Sequence, residues 1–140
     1  IQRVLKPGGE LILTTPNIKM SLSRNPWHIR EYSPKDIDEL LKKYFDIVEL
    51  KGVFGNEKVM SYYNKNKIAV QKIMRFDIIN MQYWLPRWIL QIPYDILNRI
   101  NRQTLQDKNK KIVDSIVYTD YKVKESSDSC LDHFCIATKR

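Results

Sequence analysis

Hydrophobic positions at the start of the chain recur at helical spacing. Ile1, Val4 and Leu5 fall at i, i+3 and i+4 before Lys6-Pro7-Gly8-Gly9 stops the pattern. This predicts the last turns of a helix. Residues 10–15, Glu-Leu-Ile-Leu-Thr-Thr, are a short apolar run between Gly-Gly and Pro16-Asn17, which predicts a buried strand. Residues 18–32 have no clean period and are rich in Asn, Ser, Arg and Pro. A loop is expected there, with Trp27, His28, Arg30, Glu31 and Tyr32 gathered in its second half.

Ser33-Pro34-Lys35-Asp36 is a helix start: a side-chain cap, a proline at the first helical position, and an acid near the positive end of the dipole. Ile37, Leu40, Leu41 and Tyr44 follow at i, i+3, i+4 and i+7, so the helix is predicted over 34–44. Residues 45–53 alternate well enough for a strand. Strand, loop, helix and strand then make a βαβ unit, whose crossover joins parallel strands. Residues 56–102 read as two or three helices punctuated by Pro86 and Pro93. Residues 107–129 are polar and poorly periodic, with 112–118 a strand or short helix, and 130–138 are a terminal strand.

Composition changes this picture mainly through where the charge sits. The 140 residues carry 24 Lys and Arg against 16 Asp and Glu, a net charge of +8. Residues 56–111 hold eleven basic and four acidic side chains, a balance of +7, and the rest hold thirteen and twelve, a balance of +1. The division read from the sequence is therefore a near-neutral core, 1–55 with 130–140, and a mainly helical, basic insertion, 56–129. Hydrophobic residues at 43% exclude a disordered polar chain. Residues 76–100 are interrupted by Pro86, Pro93, Arg87, Arg99, Asp77 and Asp95, whereas a spanning helix needs about 20 predominantly apolar residues. Two cysteines crowded at one end build no disulfide framework, so a reducing, cytoplasmic compartment is expected, with peripheral membrane contact through 76–102.

Residues 3–17, RVLKPGGELILTTPN, resemble a segment of class I S-adenosylmethionine-dependent methyltransferases of the type 11 and type 12 kind. In that family a leucine-lysine-proline-glycine-glycine turn feeds the fifth strand. Residues 27–52, WHIREYSPKDIDELLKKYFDIVELKG, are similar to the next loop, helix and sixth strand. Residues 130–139, CLDHFCIATK, resemble the seventh strand, which lies antiparallel between the fifth and sixth. The resemblance implies an α/β fold: the C-terminal portion of a Rossmann-like methyltransferase sheet, βαβ plus an antiparallel last strand, with a helical insertion. It also implies methyl transfer to a small-molecule, glycan or lipid-linked acceptor. The family's glycine-rich turn after the first strand, acid after the second and residues after the fourth are not in this chain. The S-adenosylmethionine site is therefore expected in a missing N-terminal part, with no cofactor-binding residue here, and the chain alone is expected to be inactive. One crossover helix for three strands, and the opening inside a predicted helix, fit the same expectation.

Ligands of open α/β sheets bind beyond the carboxyl ends of the strands, here Thr15 to Asn17 and the loop that leaves them. Thr15, Asn17, Trp27, Arg30, Glu31 and Tyr32 are the candidate acceptor-binding residues. His28 is the candidate base, with Arg30 as a clamp for an anionic acceptor group. The bland reading is that His28 and Arg30 order the loop and pin the helix start. Cys130, His133 and Cys135 are metal-ligand types, but they are three where a structural zinc site takes about four, so no metal is expected. Residues 130 and 135 have opposite parity on a strand, which predicts buried cysteines on opposite faces. The basic, aromatic insertion has three readings: a membrane-surface element, an RNA surface, which is the least favoured, or a subdomain core with a lysine-rich solvated face. A non-catalytic basic α/β module that binds membrane or RNA is the alternative to the enzyme.

Overall fold

The computed structural model describes residues 1–75, 77 and 81–140, the side chains of 81, 82, 105, 106 and 108 excepted. The chain is an α/β protein divided into two compact units. The sheet unit comprises Ile1–Ser21, Arg30–Gly55 and Tyr121–Arg140; the helical unit comprises Leu22–Ile29 and Asn56–Asp120. The division read from sequence had 22–29 with the core and 121–129 with the insertion.

In the sheet unit the opening turn is a single 3-10 turn, Gln2–Val4, not the end of an α-helix, and Ile1 and Val4 stay exposed. Only Leu5 of the predicted apolar stripe packs against the core. Lys6-Pro7-Gly8-Gly9 closes as a turn in which the Gly9 amide donates to the Lys6 carbonyl at 2.9 Å. Gly8 sits there at φ +75°, the left-handed conformation that glycine adopts without steric cost. The turn is tied to the far end of the chain: the Gly8 amide donates to the Lys139 carbonyl at 2.7 Å.

Strand β1 (Glu10–Pro16) follows, then helix α1 (Pro34–Lys42), strand β2 (Ile47–Gly55), strand β3 (Tyr121–Glu125) and strand β4 (Asp132–Thr138). Helix α1 opens with a capping box: the Ser33 hydroxyl accepts from the Asp36 amide at 3.2 Å, and the Asp36 carboxylate accepts from the Ser33 amide at 3.2 Å. A cap of this kind stabilises a helix by about 1 kcal/mol. The sheet is open, four-stranded and ordered β1-β4-β2-β3, with every neighbouring pair antiparallel. Strands β1 and β2 run in the same direction, as expected of the βαβ unit, and β4 lies antiparallel between them, the place that the resemblance gives the terminal strand.

One face of the sheet is packed. Ile37 and Leu41 of α1, with Phe45 just beyond it, close over Cys135 and Ala137 of β4, flanked by Leu11, Leu13, Val48 and Leu50. The opposite face leaves Ile12 63%, Ile47 49% and Val123 52% exposed. Strand β1 is thus half-buried rather than buried on both faces. Strand β3 was not read from the sequence. It is an exposed edge strand whose lysines, Lys122 and Lys124, are of the type that discourages further pairing.

The helical unit contains α2 (Glu57–Met74), the short α3 (Met81–Trp84) and α4 (Arg87–Ser115). Pro86 caps α4, as a helix breaker should, but Pro93 lies inside it and does not end it. Helix α4 also runs through the region read as poorly periodic, with a kink at the non-helical Asn109. The expected membrane stretch at 76–102 falls partly outside the described residues, at 76 and 78–80. Among the described residues no helix is long and apolar enough to cross a membrane. Helices α2 and α4 run antiparallel, joined by Lys58 Nζ to the Ser115 carbonyl (2.8 Å), Lys65 Nζ to Asn109 Oδ1 (2.8 Å) and Asn101 Nδ2 to Asn66 Oδ1 (3.0 Å).

Candidate functional site

In the sheet unit, the carboxyl end of β1 and the residues leading into α1 meet over a buried polar chain. Asn17 is fully buried. Its Nδ2 donates to the carbonyls of Asp128 (3.0 Å) and Cys130 (2.9 Å) and lies 3.5 Å from Cys130 Sγ, and its Oδ1 accepts from the Lys19 amide at 3.0 Å. That side chain is occupied in shaping the turn before β4. His133, also fully buried, places Nε2 2.9 Å from the Tyr32 carbonyl and Nδ1 3.7 Å from Cys130 Sγ. A carbonyl only accepts, so Nε2 carries the proton and Nδ1 is left to accept from the Cys130 thiol. The Tyr32 carbonyl also accepts from the Ile18 amide at 3.1 Å, so both ends of the 18–32 segment are held at one buried point.

Sequence reasoning treated His133 only as a would-be metal ligand. Its role was missed because its partners, Tyr32 and Cys130, are set by tertiary contact. The signal available was position: in β4 the residues His133, Cys135 and Ala137 are the buried alternation. Cys130 precedes the strand, so strand parity does not govern it, and both cysteines are fully buried. Burial first, then the charge of Asp38 and the neighbouring Cys130, pushes the Cys135 thiol up to about 11, so it stays protonated near neutral pH. Among the described residues no three His, Cys, Asp or Glu side chains are grouped as a cation site requires.

Thr15 sits on β1 opposite His133 in the register, half-buried. The exposed Arg30 guanidinium lies over the Tyr32 ring at 5.0 Å from its centroid, a cation–π contact, and Glu31 accepts a short hydrogen bond from the Ser21 hydroxyl. The sheet unit therefore brings together Thr15, Asn17, Arg30, Glu31 and Tyr32 of the predicted residues. Of these, Arg30 is the exposed one, and its guanidinium is within reach of a ligand.

Trp27 and His28 belong to the helical unit, on an exposed turn in which Asn25 Oδ1 accepts from the Trp27 amide at 3.0 Å. Trp27 Nε1 donates to Asp95 Oδ1 at 2.9 Å, and Arg87 Nη2 donates to the Ile29 carbonyl at 2.6 Å, so the 22–29 segment is fastened to α4. The same unit encloses a cavity of about 390 Å³, within the range of small-molecule sites. Its lining is largely apolar, with Val70, Ile73, Leu90, Pro93 and Leu97, and Arg24 contributes a positive charge. At the base of α2, Asp120 accepts from Lys58 Nζ (2.8 Å), Asn56 Nδ2 (2.7 Å) and the Val117 amide (2.9 Å). The Lys58 hydrogen bond, then that of Val117, holds its carboxyl below the usual carboxylate range.

Among the described residues no glycine-rich turn of the kind that cradles a nucleotide cofactor joins a strand end to a helix start. Such a cradle needs a glycine-rich turn between a strand's carboxyl end and a helix start. The left-handed Gly8 instead precedes β1, and the Asn17 amide beyond β1 is engaged by the turn at 128–130. Compared with protein-family models, with curated proteins and with solved structures, the chain matches none.

Proposed function

We propose that this chain supplies the C-terminal, acceptor-side part of a class I, Rossmann-like S-adenosylmethionine-dependent methyltransferase. The acceptor is a small molecule, a glycan or a lipid-linked molecule. The observation that carries the reading is the sheet order. A C-terminal strand inserts antiparallel between two strands that run the same way and are separated in sequence by α1, and the first of them is fed by the Leu-Lys-Pro-Gly-Gly turn. The open sheet face bearing Ile12, Ile47 and Val123 supports it too, because sheets of that class are covered by helices on both sides.

In this reading the chain's own residues handle the acceptor. Arg30, oriented by stacking on Tyr32, binds an anionic group of the acceptor. His28, exposed on its turn, takes the proton of an oxygen acceptor. The coding sequence upstream of Ile1 tests the reading. A strand, a glycine-rich turn and a helix start are expected there, and a start codon at Ile1 would overturn it. In the protein carrying that upstream part, His28→Ala is expected to lower turnover by about a hundredfold or more. Unchanged turnover removes His28 from the role.

A further inference from the structure

All three tryptophans of the chain lie in the helical unit, and all are more than half exposed: Trp27 57%, Trp84 61% and Trp88 71%. Tryptophan is large and ordinarily well buried, so three exposed rings in one small unit need an explanation. On α4, Trp88, Ile92 and Ile96 follow at i, i+4 and i+8, so they share one side of the helix, and Arg99 and Arg102 continue that side. Leu90, Tyr94, Leu97 and Asn101, which line the cavity, occupy the opposite side. The exposed side is thus additional to the apolar surface α4 needs for its own packing. Asp95 is the acid on that side between Trp88 and Arg102, and its carboxylate holds the Trp27 indole beside the ridge.

We propose that this ridge is a docking surface for an anionic membrane, with the indole and isoleucine side chains entering the headgroup region and the arginines meeting lipid phosphates. Charge decides between occupants. The helical unit carries twelve basic residues against six acidic ones. A two-fold contact with a second copy would bring this positive surface against itself, whereas an anionic bilayer complements it. The isoleucines decide against RNA, because base stacking uses flat rings and not branched aliphatic chains. A mixture of Trp, Ile and Arg on one helix side, with no span long enough to cross, is the composition of a helix lying in the interface plane. The proposal does not rest on methyltransferase activity.

Flotation of the full chain with equimolar phosphatidylcholine and phosphatidylglycerol vesicles, against phosphatidylcholine alone, tests it. The anionic vesicles are expected to carry the protein at least tenfold more strongly, with a blue shift of tryptophan emission and release at high salt. Trp88→Ser with Ile92→Ser is expected to weaken binding by about tenfold or more, and Arg99→Gln with Arg102→Gln by several-fold, each with unchanged helix content by circular dichroism. Equal binding to both vesicles, or binding unaffected by either double variant, overturns the proposal. So does a dimer that dissociates on Trp88→Ser while neither vesicle captures the protein, or an RNA complex in place of vesicle binding.

Discussion

The two units use hydrophobic residues in opposite ways. In the sheet unit, Ile37, Leu41, Phe45, Cys135 and Ala137 form a closed core under one helix, and the polar groups taken inside, Asn17 and His133, have hydrogen-bond partners. In the helical unit Val59 is, among the described residues, the buried apolar residue of the long helices, while Trp88, Ile92 and Ile96 face outward. Burial of apolar surface is the main favourable term in folding, and isolated helices are marginal. The sheet unit is therefore expected to be the more stable of the two, and the helical unit to open locally at lower free energy. Outward-facing apolar residues held on such an element are better placed to serve contact with something else than to serve the fold.

The sharpest way to break the comparison is a matched pair of substitutions. Ile37→Ala empties a fully buried site and should destabilise the protein by about 2–5 kcal/mol, whereas Ile92→Ala, on the exposed ridge, should change stability by no more than about 0.5 kcal/mol. Urea denaturation of both variants, followed by circular dichroism, checks this. Comparable losses would show that the ridge is part of a core. Gly52→Ala comes next. A Cβ at Gly52 would stand 2.5 Å from Cys130 Cβ, so the sheet must shift, at about 1–3 kcal/mol. A lowered melting temperature, with the Cys130 and Cys135 thiols becoming reactive to a disulfide reagent, is the expected result.

The smallest effect is a pH dependence confined to the helical unit. The Asp120 carboxyl, at 3.8 when free, is depressed in the fold. Its contribution is therefore fully present above 3.8 and is lost as pH falls through the lower folded value. Acid titration of helical circular dichroism should show this loss, and Asp120→Asn should flatten it. Hydrogen exchange should place the opening in α2 and the end of α4 while β4 stays protected.

Legibility followed the range of the interactions. Helix α1 was readable because Ser33, Pro34 and Asp36 act within one turn, and β2 and β4 because alternation is local. Strand β3 was missed because Tyr-Lys-Val-Lys-Glu is exposed throughout, so its alternation met no buried face to mark it. Pro93 was misread as a stop because a single missing amide is tolerated where the rest of a long helix holds. At the candidate site, the residue types of the 18–32 segment were visible in sequence. Which of them are already engaged was not, since Asn17 finds its partners more than a hundred residues away.

By itself the sequence determined the local pieces: the Gly8 turn, the capped helix, three of the four strands and the concentration of positive charge between 56 and 111. These follow from backbone sterics, capping and periodicity, which act over a few residues. Only the tertiary structure decided that β3 pairs along the outer edge of β2, that His133 is locked between Tyr32 and Cys130, and that the tryptophans face outward. Strand partnership, hydrogen-bond partners and the covered side of a helix depend on atoms far away in the chain, and a local pattern carries no record of them.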